Sequence, residues 1–250
     1  MRTASITTAL LALLLTVVGT GTAFAKTATA PPDTTPAAIL ARMQASEEAG
    51  IWRRGTRRLK ALHRDDFTPA DVRALAALLT RPTVAAAPDL VLVAGWVGDD
   101  ASVLSGLDAG LLRRNRYLAQ RRGYAAVRLG DAAAAAQLME SLERYPVDDG
   151  FAEEFAPLLA YTRHRPAVDA LLALLATPQM GCTPLESSVP GPEDCGYRFM
   201  EVLAPIIEDF PVALGEFGTV LAEDYDAALL DVRRWAKSHA DDYVLDQTRF

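Results

Sequence analysis

The sequence has little of what most enzymes are built around. It holds two cysteines and three histidines in 250 residues. His63, His164 and His239 lie far apart, so no Cys/His cluster stands ready to ligate a metal. The cysteines are not in the Cys-x-x-Cys spacing that tunes redox thiols. Ser187-Ser188 lacks the glycine framing of a nucleophile elbow, and no glycine-rich loop follows a strand-like run to cradle phosphate. Acidic doublets recur, from Glu47-Glu48 to Asp241-Asp242, but neighbouring residues on a helix point apart and do not form an acid/base dyad. No catalytic residue, cofactor or metal is therefore nominated. Strand signals are as scarce. Val91-Leu92-Val93 is the best short apolar run, and among alanines and beside Gly95-Trp96 it reads as buried helix.

What is present begins with a leader. Arg2 supplies positive charge, Ala9 to Val18 is apolar except for Thr16, and Ala23-Phe24-Ala25 has the small-x-small cleavage pattern. Residues 1–25 are expected to be a signal peptide cut after Ala25, with an uncleaved anchor as the alternative. The apolar run is short for a membrane span. No cysteine follows it to take a lipid, and no later run is long enough to cross a bilayer, so a soluble periplasmic or secreted protein is expected. Residues 26–36 carry three prolines and several threonines, the composition of a flexible linker. Residues 37–250 are expected to form one all-helical, repeat-like domain.

Helical periodicity fills that domain. Ala135, Leu138, Met139 and Leu142 fall at i, i+3, i+4 and i+7, and Val168, Leu171, Leu172 and Leu175 repeat the stripe 33 residues later. Val72, Leu75, Ala76 and Leu79 form an earlier copy behind Thr68-Pro69, a capping residue and a first-turn proline. Val103, Leu104 and Leu107 give a shorter one, and Leu229, Val232, Trp235 and Ala236 a late one. Further helices are expected over 36–49, 51–64 and 151–162. Another is expected over 198–210 with a kink at Pro205, and a short helix or turn over 211–223.

The chain at this point resembles the helical-hairpin repeat families. Gly123, Gly130-Asp131 and Ala135 stand roughly where tetratricopeptide repeats place two glycines and a small residue, and Pro146 is one position from the expected proline. HEAT-like repeats fit as well, over residues 59–176 and 198–238. The resemblance implies an all-α fold of α-α hairpin repeats, forming a short solenoid or an irregular right-handed helical array. It also implies a protein-binding role.

Charge is uneven. Residues 26–145 hold 17 lysines and arginines against 13 acidic residues, whereas residues 146–250 hold 7 against 19. Two basic blocks stand out. In the first, Arg53, Arg57, Lys60 and Arg64 share a helix face. They suggest an anionic partner or membrane surface, or simply a solvated face whose arginine stems cover apolar area. In the second, Arg114, Arg121 and Arg128 are seven apart and interleave with Tyr117 and Tyr124. Export and a net charge of −7 argue against nucleic acid. Pairing with the acidic half, or with a partner protein, is the expected use. Arg53, Arg57, Arg114, Tyr117, Arg121 and Tyr124 are the candidate partner-binding residues.

Cys182 and Cys195 flank a proline-rich loop and are expected to form a disulfide. Closing such a loop contributes about 3 kcal/mol in the chain-entropy model. The tail from Asp241 to Phe250 is expected either to dock on the body or to present itself to a partner. The composite expectation is an exported helical-repeat scaffold binding another envelope protein. The alternatives are an envelope enzyme acting on a glycan in an acidic cleft, and an anionic-surface binder.

Overall fold

The computed structural model describes residues 34–184, 191–216 and 218–250. The expected leader and nearly all of the linker lie outside the described residues. What is described is all-α. Eleven α-helices are present among the described residues, which contain no β-strand and three isolated antiparallel bridges.

The first two helices, α1 (Pro36–Gln44) and α2 (Ala49–Lys60), are both shorter than their periodicity predicts. Ala45 to Glu48 breaks the chain early. There the indole N–H of Trp52 donates to the Ser46 carbonyl at 2.8 Å. Gly55 has a structural reason to be in α2: a Cβ there would meet the Met43 sulfur at 2.4 Å, so its absence lets α1 and α2 approach. Helix α3 (Pro69–Leu79) starts as predicted, with Thr68 and Asp71 satisfying each other's backbone N–H groups.

Helix α4 (Asp89–Val97) is the centre of the molecule. Leu90 to Val97 are all buried, as expected for a helix that is apolar all round. It packs against α2, α3 and α6 (Arg116–Arg128). Gly95 sits at the tightest crossing: a Cβ there would lie 2.6 Å from the Ala125 Cβ and 2.7 Å from the Tyr161 hydroxyl. The run Val103-Leu104 is a 3-10 turn (Ala101–Leu104) rather than a further amphipathic helix.

A short α5 (Ala109–Arg114) ends at Asn115, whose extended backbone separates it from α6 while its side chain caps α6. The Gly130-Asp131 break has a defined geometry. Gly130 adopts φ 85°, and the amides of Gly130 and Asp131 return to Val127 and Ala126, the two bonds of a Schellman end. Asp131 then caps α7 (Ala132–Leu142), accepting from Ala133 and Ala134.

The predicted helix over 151–162 is in two parts, a π-helical turn at Phe151–Phe155 and α8 (Ala156–Thr162). The wider turn carries an aromatic cluster in which Phe155 meets Tyr124, Tyr145 and Phe151, and Phe151 meets Phe199. In α9 (Arg165–Leu175) the whole predicted stripe is buried. Each such aliphatic side chain contributes about 1.5–3 kcal/mol. Helix α10 (Gly196–Leu203) stops where a kinked continuation to Phe210 is predicted. Pro205 lacks the N–H that would reach Glu201, so it ends the helix instead of bending it. Within 211–223, Leu214 and Val220 pair in an antiparallel bridge, and α11 (Tyr225–Ser238) follows.

Packing follows the order of the chain. Helix α1 lies on α2 and α3, α4 on α6, α6 on α7 and α8, α8 on α9 and α10, and α9 and α10 on α11. One continuous buried cluster runs from Ile39 to Tyr243. Cys182 and Cys195 are bonded, with the Cys182–Glu193 bridge beside them.

Candidate functional site

The chain's last segment is held against the helices in extended form, and the residues that hold it define a groove. Arg165, at the start of α9, donates to the carbonyls of Tyr243 at 2.9 Å and Ala240 at 3.0 Å. Its guanidinium stands 3.5 Å from the centre of the Tyr243 ring. The Tyr243 hydroxyl donates to Asp169 at 2.6 Å. The Ile207–Leu245 bridge continues the contact, with Asp246 N–H donating to the Ile206 carbonyl at 2.9 Å. Arg163 then donates to the carbonyls of Asp246 at 2.7 Å and Arg249 at 3.2 Å. Arg128 reaches the carbonyls of Gln247 and Arg249, and the Arg64 amide donates to Thr248.

Local structure explains why these arginines converge. Arg163 ends α8 at φ 52°, a left-handed position where glycine is commonest. There its side chain turns back, donating to Ala160 at 2.6 Å and reaching the tail. Arg128 is at the end of α6 and also donates to the Tyr161 carbonyl. Burial, then each other's charge in the case of Arg163, pulls these guanidinium pKa values down, to about 10 for Arg128 and about 9 for Arg163. Both remain charged at neutral pH. The Asp246 carboxylate itself is held within the segment, accepting from the Thr248 amide and hydroxyl, both at 2.7 Å, and pairing with Arg249 at 3.6 Å.

The segment ends in an aromatic pocket. The Phe250 ring meets Trp96 edge-on at 5.6 Å and Tyr161 at 5.3 Å, and the Lys60 ammonium stands 4.5 Å from its centre. Phe67 closes on the other side of Trp96. The Tyr161 hydroxyl is spent on the Leu92 carbonyl at 2.6 Å. Among the described residues the buried indole N–H of Trp96 has no hydrogen-bond partner.

Beyond Phe250 the groove opens into a cavity of about 400 Å³, whose walls include Leu92, Tyr117, Gln120 and Leu158. Its charged lining is the triad of Lys60, Asp89 and Arg121 together with Glu153 and Glu154. Asp89, in the first turn of α4, accepts from Lys60 at 3.2 Å and from Arg121 at 3.0 Å. Burial pushes the Asp89 carboxyl up. The Lys60 ammonium and the hydrogen bonds from Arg121 and Lys60 outweigh that and hold it below its ordinary value.

The six residues singled out in the sequence are dispersed. Tyr117 and Arg121 line the cavity, and Tyr117 is 60% exposed. Arg53 and Arg57 are exposed on α2, whose Trp52 and Leu59 are buried. Arg114 is exposed on α5, and the break at Asn115 interrupts the edge expected to join it to Arg121 and Arg128. Tyr124 is buried, its ring against Phe155, and presents no surface to a partner. Arg163, Arg165 and Asp246 were missed. A basic pair bracketing a helix break at Arg163-His164-Arg165 is the signal that could have found two of them.

A second concavity, of about 1040 Å³, lies between α10 and α11. Glu193, Asp194, Glu223, Asp224 and Asp226 line it with Tyr197. Asp194 pairs with Arg233 and accepts from the amides of Gln179 and Gly196. Tyr197 donates to Asp226. Among the described residues no three His, Cys, Asp or Glu side chains are grouped to hold a metal ion, and no helix is long and apolar enough to cross a membrane. Comparison with known proteins finds no matching family, no matching curated protein and no matching solved structure.

Proposed function

We propose that the chain is an exported helical-repeat scaffold that binds another protein of the cell envelope. Its helix pairs stand for HEAT-like or tetratricopeptide-like hairpins leaning on their sequence neighbours. Residues 1–25 serve as a leader removed after Ala25. The binding face is the groove across α6, α8 and α9 and the cavity beside it. One observation carries this reading: side chains from several helices already grip an extended polypeptide through its carbonyls, which is how a surface binds backbone irrespective of sequence. The charge difference between the two halves adds partner selectivity more than stability.

The test is a photo-cross-linking residue at Tyr117 in the full chain, expressed in the cell envelope of its source. The reading expects one dominant protein adduct, lost with Arg121→Glu and not formed from exposed Leu230. Equal labelling from both positions would remove the proposal. Fractionation checks the location: retention in the cytoplasm would remove the export part. The glycan-hydrolase alternative has the acidic cleft in its favour. It expects cleavage of envelope glycan that Asp226→Asn abolishes.

A further inference from the structure

We propose that α6 and α7 carry between them a binding site for an uncharged saccharide. The Tyr145 ring is its platform, and Gly123 is the notch that admits the sugar. Of its lining, only Gln120 is shared with the cavity beside the groove, and none with the acidic cleft. The site stands independently of the scaffold reading.

Gly123 is the first observation. It lies inside α6, where glycine is the least favourable residue after proline. Gly55 and Gly95 are in helices for a steric reason, since a Cβ there would meet a neighbouring helix at 2.4 Å and 2.6 Å. Gly130, Gly191 and Gly218 have a conformational reason, a positive φ. Gly123 has neither. A Cβ on it would meet nothing within 4 Å, which is true of no other described glycine outside the left-handed region. The space it leaves opens into a cavity of about 220 Å³ between α6 and α7. No contact within the described chain needs that space, so it is room for a molecule from outside.

The walls of the cavity select the chemistry of that molecule. No charged side chain lines it, so an ion entering would lose water without meeting a counter-charge. Its base is apolar and buried, with Leu138 and Phe155. Its rim is polar but neutral. The exposed Gln137 side-chain amide has no partner among the described residues. The Ser141 hydroxyl donates to the Gln137 carbonyl at 2.8 Å, which leaves its oxygen free to accept. Gln120 adds a second amide from α6. An amide both donates and accepts, as neighbouring sugar hydroxyls do. Tyr145 completes the match. Its ring stacks on Phe155 at 4.4 Å between centroids and 22° between planes, yet Tyr145 is 49% exposed. With one face covered, the other is open, and the C–H face of a pyranose is its apolar counterpart. The same ring also borders a second hollow of about 330 Å³, lined by Leu142, Val147 and Leu174, so a further sugar unit has room beyond it.

The probes are maltotriose and the trimer of N-acetylglucosamine, titrated to tens of millimolar into the full, isotope-labelled chain and followed by amide NMR. Saturable shifts at Gly123, Gln137, Ser141 and Tyr145 are expected from at least one of them, with a Kd on the order of 1 mM. Gly123→Leu fills the notch with a better helix former. It should weaken binding about tenfold or more while the thermal midpoint stays level or rises. Tyr145→Phe keeps the platform and should bind like the wild type, whereas Tyr145→Ala should lose about tenfold. Absence of saturable shifts at these amides from both sugars would overturn the proposal. So would undiminished binding by Gly123→Leu, or a fall in its thermal midpoint, which would show that the chain itself uses the space. Equal shifts from hexanol would make the site merely apolar, and equal affinity for a trimer of galacturonate would show that charge is not excluded. Either result overturns it too. A missing Tyr117 adduct bears on the scaffold reading and leaves these outcomes as they are.

Discussion

Two concavities of this molecule are built oppositely. The groove over α6, α8 and α9 is cationic and holds a segment of the chain itself. The cleft between α10 and α11 is acidic and open, with exposed Met180 and Leu230 at its edge. Both use arginine–carboxylate contacts, but to different ends. In the cleft, Asp194 and Arg233 are mostly buried and also satisfy two backbone amides, so the pair fixes the structure. In the groove, the arginines bond mainly to backbone carbonyls of the chain's own last segment. One pair of charges fixes the core around it, whereas the other set of charges fastens a surface segment onto that core.

Breaking the disulfide is the largest expected perturbation. Cys182→Ser with Cys195→Ser should lower stability by about 3 kcal/mol, measured by urea unfolding. It should loosen the cleft side and leave the Asp246 amide as protected as before. Loss of that protection would mean that the two regions are one unit.

Arg163→Ala should cost about 2 kcal/mol, because bonds from a charged, buried donor to Ala160, Asp246 and Arg249 are lost together. Hydrogen exchange should then rise at the amides of Asp246 and of Glu208, which donates to the Val244 carbonyl at 3.0 Å, with the cleft unchanged. Arg163→Gly should release the segment equally while costing less, since glycine accepts φ 52° freely. Equal stability of the two variants would show that the backbone there carries no strain.

Asp89→Asn should cost about 1 kcal/mol, as all three charged side chains of the triad keep partial exposure. It should leave the tail in place and change only the cavity. Smallest is the response to acid. The Asp246 and Asp194 carboxyls both lie below their ordinary value of 3.8: burial pushes each up, and their hydrogen bonds outweigh it. Their contribution is therefore fully present above that value and lost as pH falls below it. Amide exchange followed from pH 6 to pH 2 should show the groove segment loosening before the cleft, because Asp194 accepts from Arg233 and two amides. Simultaneous loosening would erase the distinction drawn between them.

The sequence by itself determined the helical class and most of the helix faces. Alanine and leucine at spacings of three and four bury one side wherever they occur, so Val168, Leu171, Leu172 and Leu175 are readable without coordinates. Caps such as Thr68 and Asp131 are equally local, since each satisfies amides two or three residues away. The disulfide was legible because only one pairing exists. Tertiary structure alone decided which polar residues meet. Arg128 and Gln247 are separated by 119 residues, and no local rule relates them. Tyr124 was misjudged because its helical position is compatible with either face, and the aromatic cluster around Phe155 chose the buried one. Only the stacking of α6 on α8 brings Arg128 beside Arg163, and only the fold returns Phe250 to Trp96.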